Sequence, residues 1–358
     1  MPSTTSFATP LSERNPQVTV DDLLAGLQPS FRFAEVSFDS YLPDPAHPSQ
    51  AEAAERLRSF AETVNSRPGA SLLGRLFGSK PKSTGPAGMY LDGGFGVGKT
   101  HLLASLYHAA GAQGVPNDKR AFGTFVEYTN LVGALSFRRT VEVLSSYQLV
   151  CIDEFELDDA GDTTLMSRLL RELADAGVKL AATSNTLPGA LGEGRFAASD
   201  FKREIQVLAQ QFQVVRVDGE DYRHRGLADA PPPLETSEVE TFAEEHFADQ
   251  RIAVDEFSAL CDHLTSVHPS RYSQLVTGMD VLVLKDVETI TAQALALRFV
   301  VLADRLYDQD VKLVASGVPF DQLFTEEMMS GGYMKKYHRT VSRLTALARS
   351  GQMGEQAL

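Results

Sequence analysis

Gly93-Gly94-Phe95-Gly96-Val97-Gly98-Lys99-Thr100 carries the spacing GxxxxGK[ST]. In such a loop, backbone N–H groups surround the phosphates of a nucleotide. The lysine then reaches the β and γ phosphates, and the threonine hydroxyl ligates Mg²⁺. Glycine is needed where the main chain approaches an oxygen closely or takes φ > 0. A second set is Leu149-Val150-Cys151-Ile152-Asp153-Glu154, four apolar residues followed by two adjacent carboxylates. Asp153 suits Mg²⁺ held through its water shell, because that ion gives up water reluctantly. Glu154, one residue further along a strand, is expected to point the other way and to polarise the water that attacks the γ-phosphate. A hydrolase uses a second acid there, whereas a kinase does not. The third set is Leu180-Ala181-Ala182-Thr183-Ser184-Asn185. Its side-chain amide at Asn185 both donates and accepts, and is expected to bond the attacking water or a γ-phosphate oxygen. Taken singly, these are a glycine-rich turn, a strand ending in solvated acids and a Ser-Asn turn cap. Their co-occurrence in order favours nucleotide chemistry. His101 is expected on a helix surface, and no His, Cys, Asp or Glu set has zinc-like spacing.

Such groups work only if strands and helices hold them at one edge. Met89-Tyr90-Leu91 reads as a buried strand before the glycine loop, and His101 to Tyr107 as a helix after it. A helix N-terminus carries the partial positive charge that holds phosphate. Strands are predicted at 88–91, 123–127, 148–153, 178–184 and 212–217. Helices are predicted at 99–112, 129–136, 162–176 and 199–209. In the third of these helices Leu165, Met166, Leu169, Leu170 and Leu173 form one apolar stripe. Alternating strands and helices imply a parallel α/β sheet covered on both faces, with ligands beyond the carboxyl ends of its strands.

The 358 residues suffice for about two domains. With 43% hydrophobic and 22% charged residues the composition is that of a soluble globular protein, and no apolar run is long enough to predict a membrane span. The first residues show no basic segment followed by an apolar core, so no secretory signal is predicted. There are two cysteines, and Cys151 lies in an apolar run as a buried free thiol would, which fits a reducing cytoplasm. A net charge of −14 argues against broad nucleic-acid binding. Arg138-Arg139 and Lys335-Lys336 read as solvated surface charge.

Residues 1–84 divide into a patternless mobile tail to about 18, a short helix from Val20 to Leu27, an entry segment interrupted by prolines, and a helix to about Val64. Ser49 and Glu52 are expected to form a capping box at the start of that helix. Residues 85–228 form the phosphate-loop core, and 229–240 a stiff Pro-rich linker around Pro231-Pro232-Pro233. Residues 241–358 form a smaller C-terminal α/β region. Helices are expected there near 237–247, 254–264, 289–307 and 333–349, and strands at 281–284 and 311–315.

The three motifs together resemble the AAA+ ATPases. Asp153-Glu154-Phe155, Thr183-Ser184-Asn185-Thr186-Leu187-Pro188 and Asp221-Tyr222-Arg223-His224-Arg225 narrow the resemblance. So do Tyr41-Leu42-Pro43, Pro48-Ser49-Gln50 and Arg339-Thr340-Val341-Ser342-Arg343-Leu344. In this order, over roughly residues 30–350, they are similar to the ZapE and AFG-one-like family of AAA+ ATPases. The resemblance implies Mg-ATP hydrolysis, assembly into a homo-oligomer and, in bacteria, association with the division-ring protein FtsZ. It also implies that Arg343, with Arg339 on the same helix face, is the sensor arginine touching the γ-phosphate. An arginine acting in trans would lie shortly before Phe201. The positions that match the family there hold Ala and Asp, leaving Arg195 or Arg203 as substitutes. The segment between the first core helix and the paired acids lacks the family's usual histidine-containing stretch. A nucleic-acid-associated ATPase of the helicase-loader type shares the core motifs, and the acidic charge speaks against it.

Overall fold

The computed structural model describes residues 6–65, 88–94, 96–156, 160–188, 191, 206, 209–220 and 230–352. Two compact units result, one of residues 19–29 and 33–225, the other of residues 1–18, 30–32 and 226–358. The described residues open on a two-residue strand, β1 (Ser6–Phe7), that belongs to the second unit.

In the first unit a short helix, α1 (Val20–Ala25), precedes α2 (Pro48–Val64), β2 (Gly88–Gly93) and α3 (Lys99–Ala112). Then come β3 (Arg120–Thr124), α4 (Phe125–Leu135), α5 (Phe137–Leu144) and β4 (Leu149–Asp153). The series ends with α6 (Ala160–Asp175), β5 (Lys179–Ser184) and β6 (Phe212–Val217). The five strands form one parallel sheet in the order β3-β4-β5-β2-β6. Alternation along the strands divides the core in two. Leu91, Cys151 and Ala181 pack with Leu57, Leu103 and Leu106 of α2 and α3. Tyr90, Ile152, Leu180 and Ala182 pack on the opposite face with Leu131, Met166, Leu169 and Leu170 of α4 and α6. Covering both faces is what a parallel sheet needs, and it explains why every residue of β2 is buried.

Local chemistry moves three boundaries. The strand expected at 123–127 ends at Thr124. Its hydroxyl accepts the Glu127 N–H at 3.3 Å, and Glu127 accepts the Thr124 N–H in return at 2.7 Å. This capping box starts α4 where the apolar Phe125-Val126 suggested more strand. Helix α5 occupies residues for which no element was expected. The capping box expected at Ser49 and Glu52 is not formed, because the cap falls two residues earlier, at His47, and the helix begins at Pro48, whose missing N–H costs nothing at the first position. The Ser49 hydroxyl instead accepts the Asp218 N–H at 2.9 Å. The helix expected at 199–209 falls largely outside the described residues.

The second unit is a four-stranded parallel sheet, β1-β7-β8-β9, from β7 (Arg251–Glu256), β8 (Val281–Val287) and β9 (Lys312–Gly317). Its helices are α7 (Val239–His246), α8 (Phe257–Ser266), α9 (Tyr272–Leu275), α10 (Gln293–Asp308), α11 (Glu326–Ser330) and α12 (Met334–Gln352). Strand β7 replaces the first part of the helix expected at 254–264. From residue 6 onward the N-terminus is not the loose tail its composition suggests. Ser6 pairs with Arg251 in β7, and Leu11 is completely buried. The Leu11 and Ser12 N–H groups donate to the buried Asp255 carboxylate at 2.7 and 2.8 Å. Arg14 donates to the carbonyls of Leu275 (2.7 Å) and Thr277 (2.9 Å). The linker also docks, since Leu234 forms a parallel bridge with Ser316 and its N–H donates to the Ala315 carbonyl at 2.9 Å.

Candidate functional site

Strand β2 ends at Gly93, and the glycine loop turns directly into α3. Gly96 and Gly98 have φ of 68° and 84°, the left-handed region that side chains resist, and Gly98 caps the helix. The first N–H groups of α3 have no partner within the helix and carry its positive end. Lys99 is buried beneath this turn. Its Nζ donates to the Gly93 carbonyl at 3.0 Å, to the Gly94 carbonyl, and to Asn185 Oδ1 at 3.0 Å. Asn185 donates its Nδ2 to Glu156 Oε1 at 3.1 Å. Thr100 Oγ1 donates to Asp153 Oδ2 at 3.0 Å. Thus Lys99, Thr100, Asp153 and Asn185, from three motifs, meet at the carboxyl ends of β2, β4 and β5. Phe95 lies outside the described residues.

Asp153 is buried at the last position of β4. Burial, and then the neighbouring Glu154 charge, push its carboxyl above the ordinary range, while hydrogen bonds from Thr183 and Thr100 pull it back. Glu154 follows with φ of 52°. Its direction is therefore set by a left-handed backbone turn rather than by strand alternation, which corrects the expectation from the sequence. Its N–H donates to Thr183 Oγ1 at 3.1 Å, and Thr183 in turn donates to Asp153. The next residue, Phe155, is fully buried and packs edge-on against the rings of Tyr90 (6.4 Å) and Phe125 (5.3 Å). Thr183 and Glu156 were not singled out from the sequence. The available signal for Thr183 was its place two residues before Asn185, at the end of the strand neighbouring the acids.

The entry segment closes over the loop from the other side. The Tyr41 hydroxyl donates to the Val97 carbonyl at 3.0 Å, and burial pushes that hydroxyl up to about 12. Gln50 accepts from the Asp44 N–H and donates to the Asp218 carbonyl, both at 2.8 Å. His101 faces this segment, with Nε2 3.0 Å from Ser40 Oγ and 3.1 Å from the Ser37 carbonyl. Beside the loop, buried Asp92 pairs with Arg216, which also bonds Asp218 at 2.7 Å.

In the second unit Arg343 and Arg339 both pair with Asp304, Arg339 at 2.9 Å. The Arg343 guanidinium stands 5.1 Å from the centre of the Tyr307 ring, and that of Arg32 4.0 Å from the same ring. Arg195, Arg203 and the residues 221–225 of the Asp-Tyr-Arg-x-Arg motif lie outside the described residues. Among the described residues no helix is long and apolar enough to cross a membrane.

The donor set suits a nucleotide with Mg²⁺. One buried ammonium and a helix N-terminus face the loop, and a hydroxyl and a carboxylate lie in contact beside them. Among the described residues no group of three or more His, Cys, Asp or Glu side chains could hold a metal ion. An ion held by one or two protein oxygens and completed by phosphate and water is the habit of Mg²⁺.

Sheet order, glycine loop, acids and amide together define an α/β protein with a parallel sheet and a phosphate-loop motif at its edge. More particularly, the chain belongs to the AFG1-like ATPase family, whose model matches residues 18–250 and 240–355. The cell division protein ZapE of Escherichia coli K12 is 29% identical over 84% of this chain and 95% of its own length. Lactation elevated protein 1 homolog B of Danio rerio is 26% identical over 71% of this chain and 59% of its own. Among solved structures, AMPPCP-bound DnaA from Aquifex aeolicus is similar over 52% of this chain and 51% of its own, with 13% identity and a TM-score of 0.38.

Proposed function

We propose that this chain hydrolyses ATP in a Mg²⁺-dependent reaction at the edge formed by β2, β4 and β5, and that turnover remodels a protein partner. The observation that carries this reading is the convergence of Lys99, Thr100, Asp153 and Asn185 through direct hydrogen bonds. The main-chain N–H groups of Gly93, Gly94, Phe95, Gly96, Val97 and Gly98 and the start of α3 surround the phosphates. Lys99 places its positive charge on the β and γ phosphate oxygens. Thr100 and Asp153 hold Mg²⁺, which when bound neutralises charge on those phosphates. Glu154 accepts the proton of the attacking water and Asn185 orients it. Catalysis of this kind is positioning and electrostatics. Arg343 acts as the sensor arginine, and Arg195 or Arg203 is supplied to a neighbouring copy in a homo-oligomer.

FtsZ is the proposed partner and the cytoplasm the proposed location. The first is supported by the similarity to a cell division protein. Support for the second is two free, buried cysteines, Cys151 and Cys261. Lys99→Ala is expected to abolish saturable Mg-ATP binding in calorimetry. Glu154→Gln is expected to bind ATP normally and to release no phosphate. Wild-type turnover by Glu154→Gln would refute the assignment of the base, and absence of Mg-ATP binding by the intact chain would refute the whole reading.

A further inference from the structure

The β4–β5 ladder ends early. Its last register pair is Ile152 with Ala182, so Asp153, which still pairs with Thr124 of β3, and Glu154 after it have no ladder partner in β5. Thr183 takes over where the ladder stops, and it does so three times. Its Oγ1 donates to Asp153 Oδ1, the same Oγ1 accepts the Glu154 N–H at 3.1 Å, and its carbonyl accepts the Phe155 N–H at 2.7 Å. A hydroxyl has one proton, so donation to the carboxylate fixes the oxygen's lone pairs toward Glu154. One side chain thereby ties the acid assigned to Mg²⁺ to the main chain of the acid assigned to water. Glu154 needs such a tie, because its φ of 52° is costly for a residue with a Cβ and persists only where neighbours over-determine it.

We propose that Thr183 is a positioning residue for hydrolysis, holding Asp153 and Glu154 in fixed relation through its single hydroxyl. The proposal rests on the ATP-hydrolase reading above. It separates binding from turnover, because this hydroxyl bonds the two acids rather than the glycine loop. Misplacing a catalytic group by about 1 Å can cost about 10²-fold in rate.

The test compares Thr183→Val, which keeps shape and loses the hydroxyl, with Thr183→Ser, which keeps the hydroxyl and loses the methyl. Steady-state phosphate release, fluorescent-nucleotide affinity and thermal unfolding are measured on the full chain. The expected result for Thr183→Val is kcat lowered by about 10–100-fold, with nucleotide affinity near that of the wild type. Thr183→Ser should recover most of the turnover. If Thr183→Val does not fold, Thr183→Ala takes its place under the same criteria. Equal kcat in wild type and Thr183→Val overturns the role of Thr183 alone, as does a serine variant as slow as the valine one, or a loss confined to nucleotide affinity. A wild-type chain that binds Mg-ATP without turning it over overturns both the hydrolase reading and this proposal.

Discussion

Substituting alanine for Gly98 tests how the glycine loop is held. Two independent costs are visible in the structure. Gly98 has φ of 84°, and an L-residue in the left-handed region costs about 1–2 kcal/mol. A Cβ there would also lie 2.6 Å from Cε2 of the Tyr41 ring, a contact that one group must leave. Overpacking of this kind costs about 1–3 kcal/mol. The sum, about 2–5 kcal/mol, is a large share of a typical domain stability. The two parts can be separated. Tyr41→Leu removes the offending Cε2 and leaves apolar bulk in place, so in that background only the backbone cost should remain. Urea denaturation of the four proteins of the cycle should therefore show Gly98→Ala costing about 1–3 kcal/mol less in the Tyr41→Leu background than in the wild type. Equal cost in both backgrounds would mean that Tyr41 is not seated on the loop. No cost in either would mean that Gly98 is not left-handed.

Asp153→Asn is expected to stabilise the nucleotide-free chain at neutral pH while abolishing Mg²⁺-dependent turnover. The Asp153 carboxyl is pushed upward by burial, so the folded state binds more protons there than the unfolded state, and stability falls as pH rises. The gain from asparagine should thus be full above the raised value and vanish as pH drops through the ordinary aspartate range. Thermal unfolding at several pH values checks this, each kcal/mol being worth about 2–4 °C in a unit of this size. Asp255→Asn leaves a single carbonyl oxygen where two backbone N–H groups now meet a carboxylate. Losing a charge-assisted bond at a buried N–H costs about 1–3 kcal/mol, so amide exchange at Leu11 and Ser12 should quicken about tenfold or more. Unchanged exchange there would refute the docking role of Asp255.

Much of the first unit was readable from the sequence because each central strand is a short apolar run ending in chemically distinct residues. Leu149 to Asp153 and Lys179 to Ser184 are examples, and the leucine stripe of α6 is legible at helical spacing. What was misread depends on competition between local signals. Phe125 and Val126 are good strand formers, yet Thr124 and Glu127 cap a helix there. Arg251 to Glu256 mixes charged and apolar residues, because the strand has charged ends and its middle is buried by partners distant in sequence. The helix expected from Val20 does begin there, and the Thr19–Asp22 capping box that starts it was not read from the sequence. The geometry at Glu154 was not read from the sequence, since its left-handed φ goes with a hydrogen bond to Thr183 on another strand.

The docking of the first residues onto β7 has a consequence for synthesis. Leu11 and its carboxylate partner are 244 positions apart. A nascent chain leaves the ribosome N-terminus first, so this segment must wait for that whole span to be made before its strand exists. The first unit can assemble meanwhile from contiguous polypeptide, whereas the second can be completed only after β8 and β9 have followed. Loop closure over such a span adds little free energy beyond a shorter one, since the penalty grows with the logarithm of length. The delay is therefore kinetic, and during it the apolar Leu11 stays open to chaperones and to wrong partners.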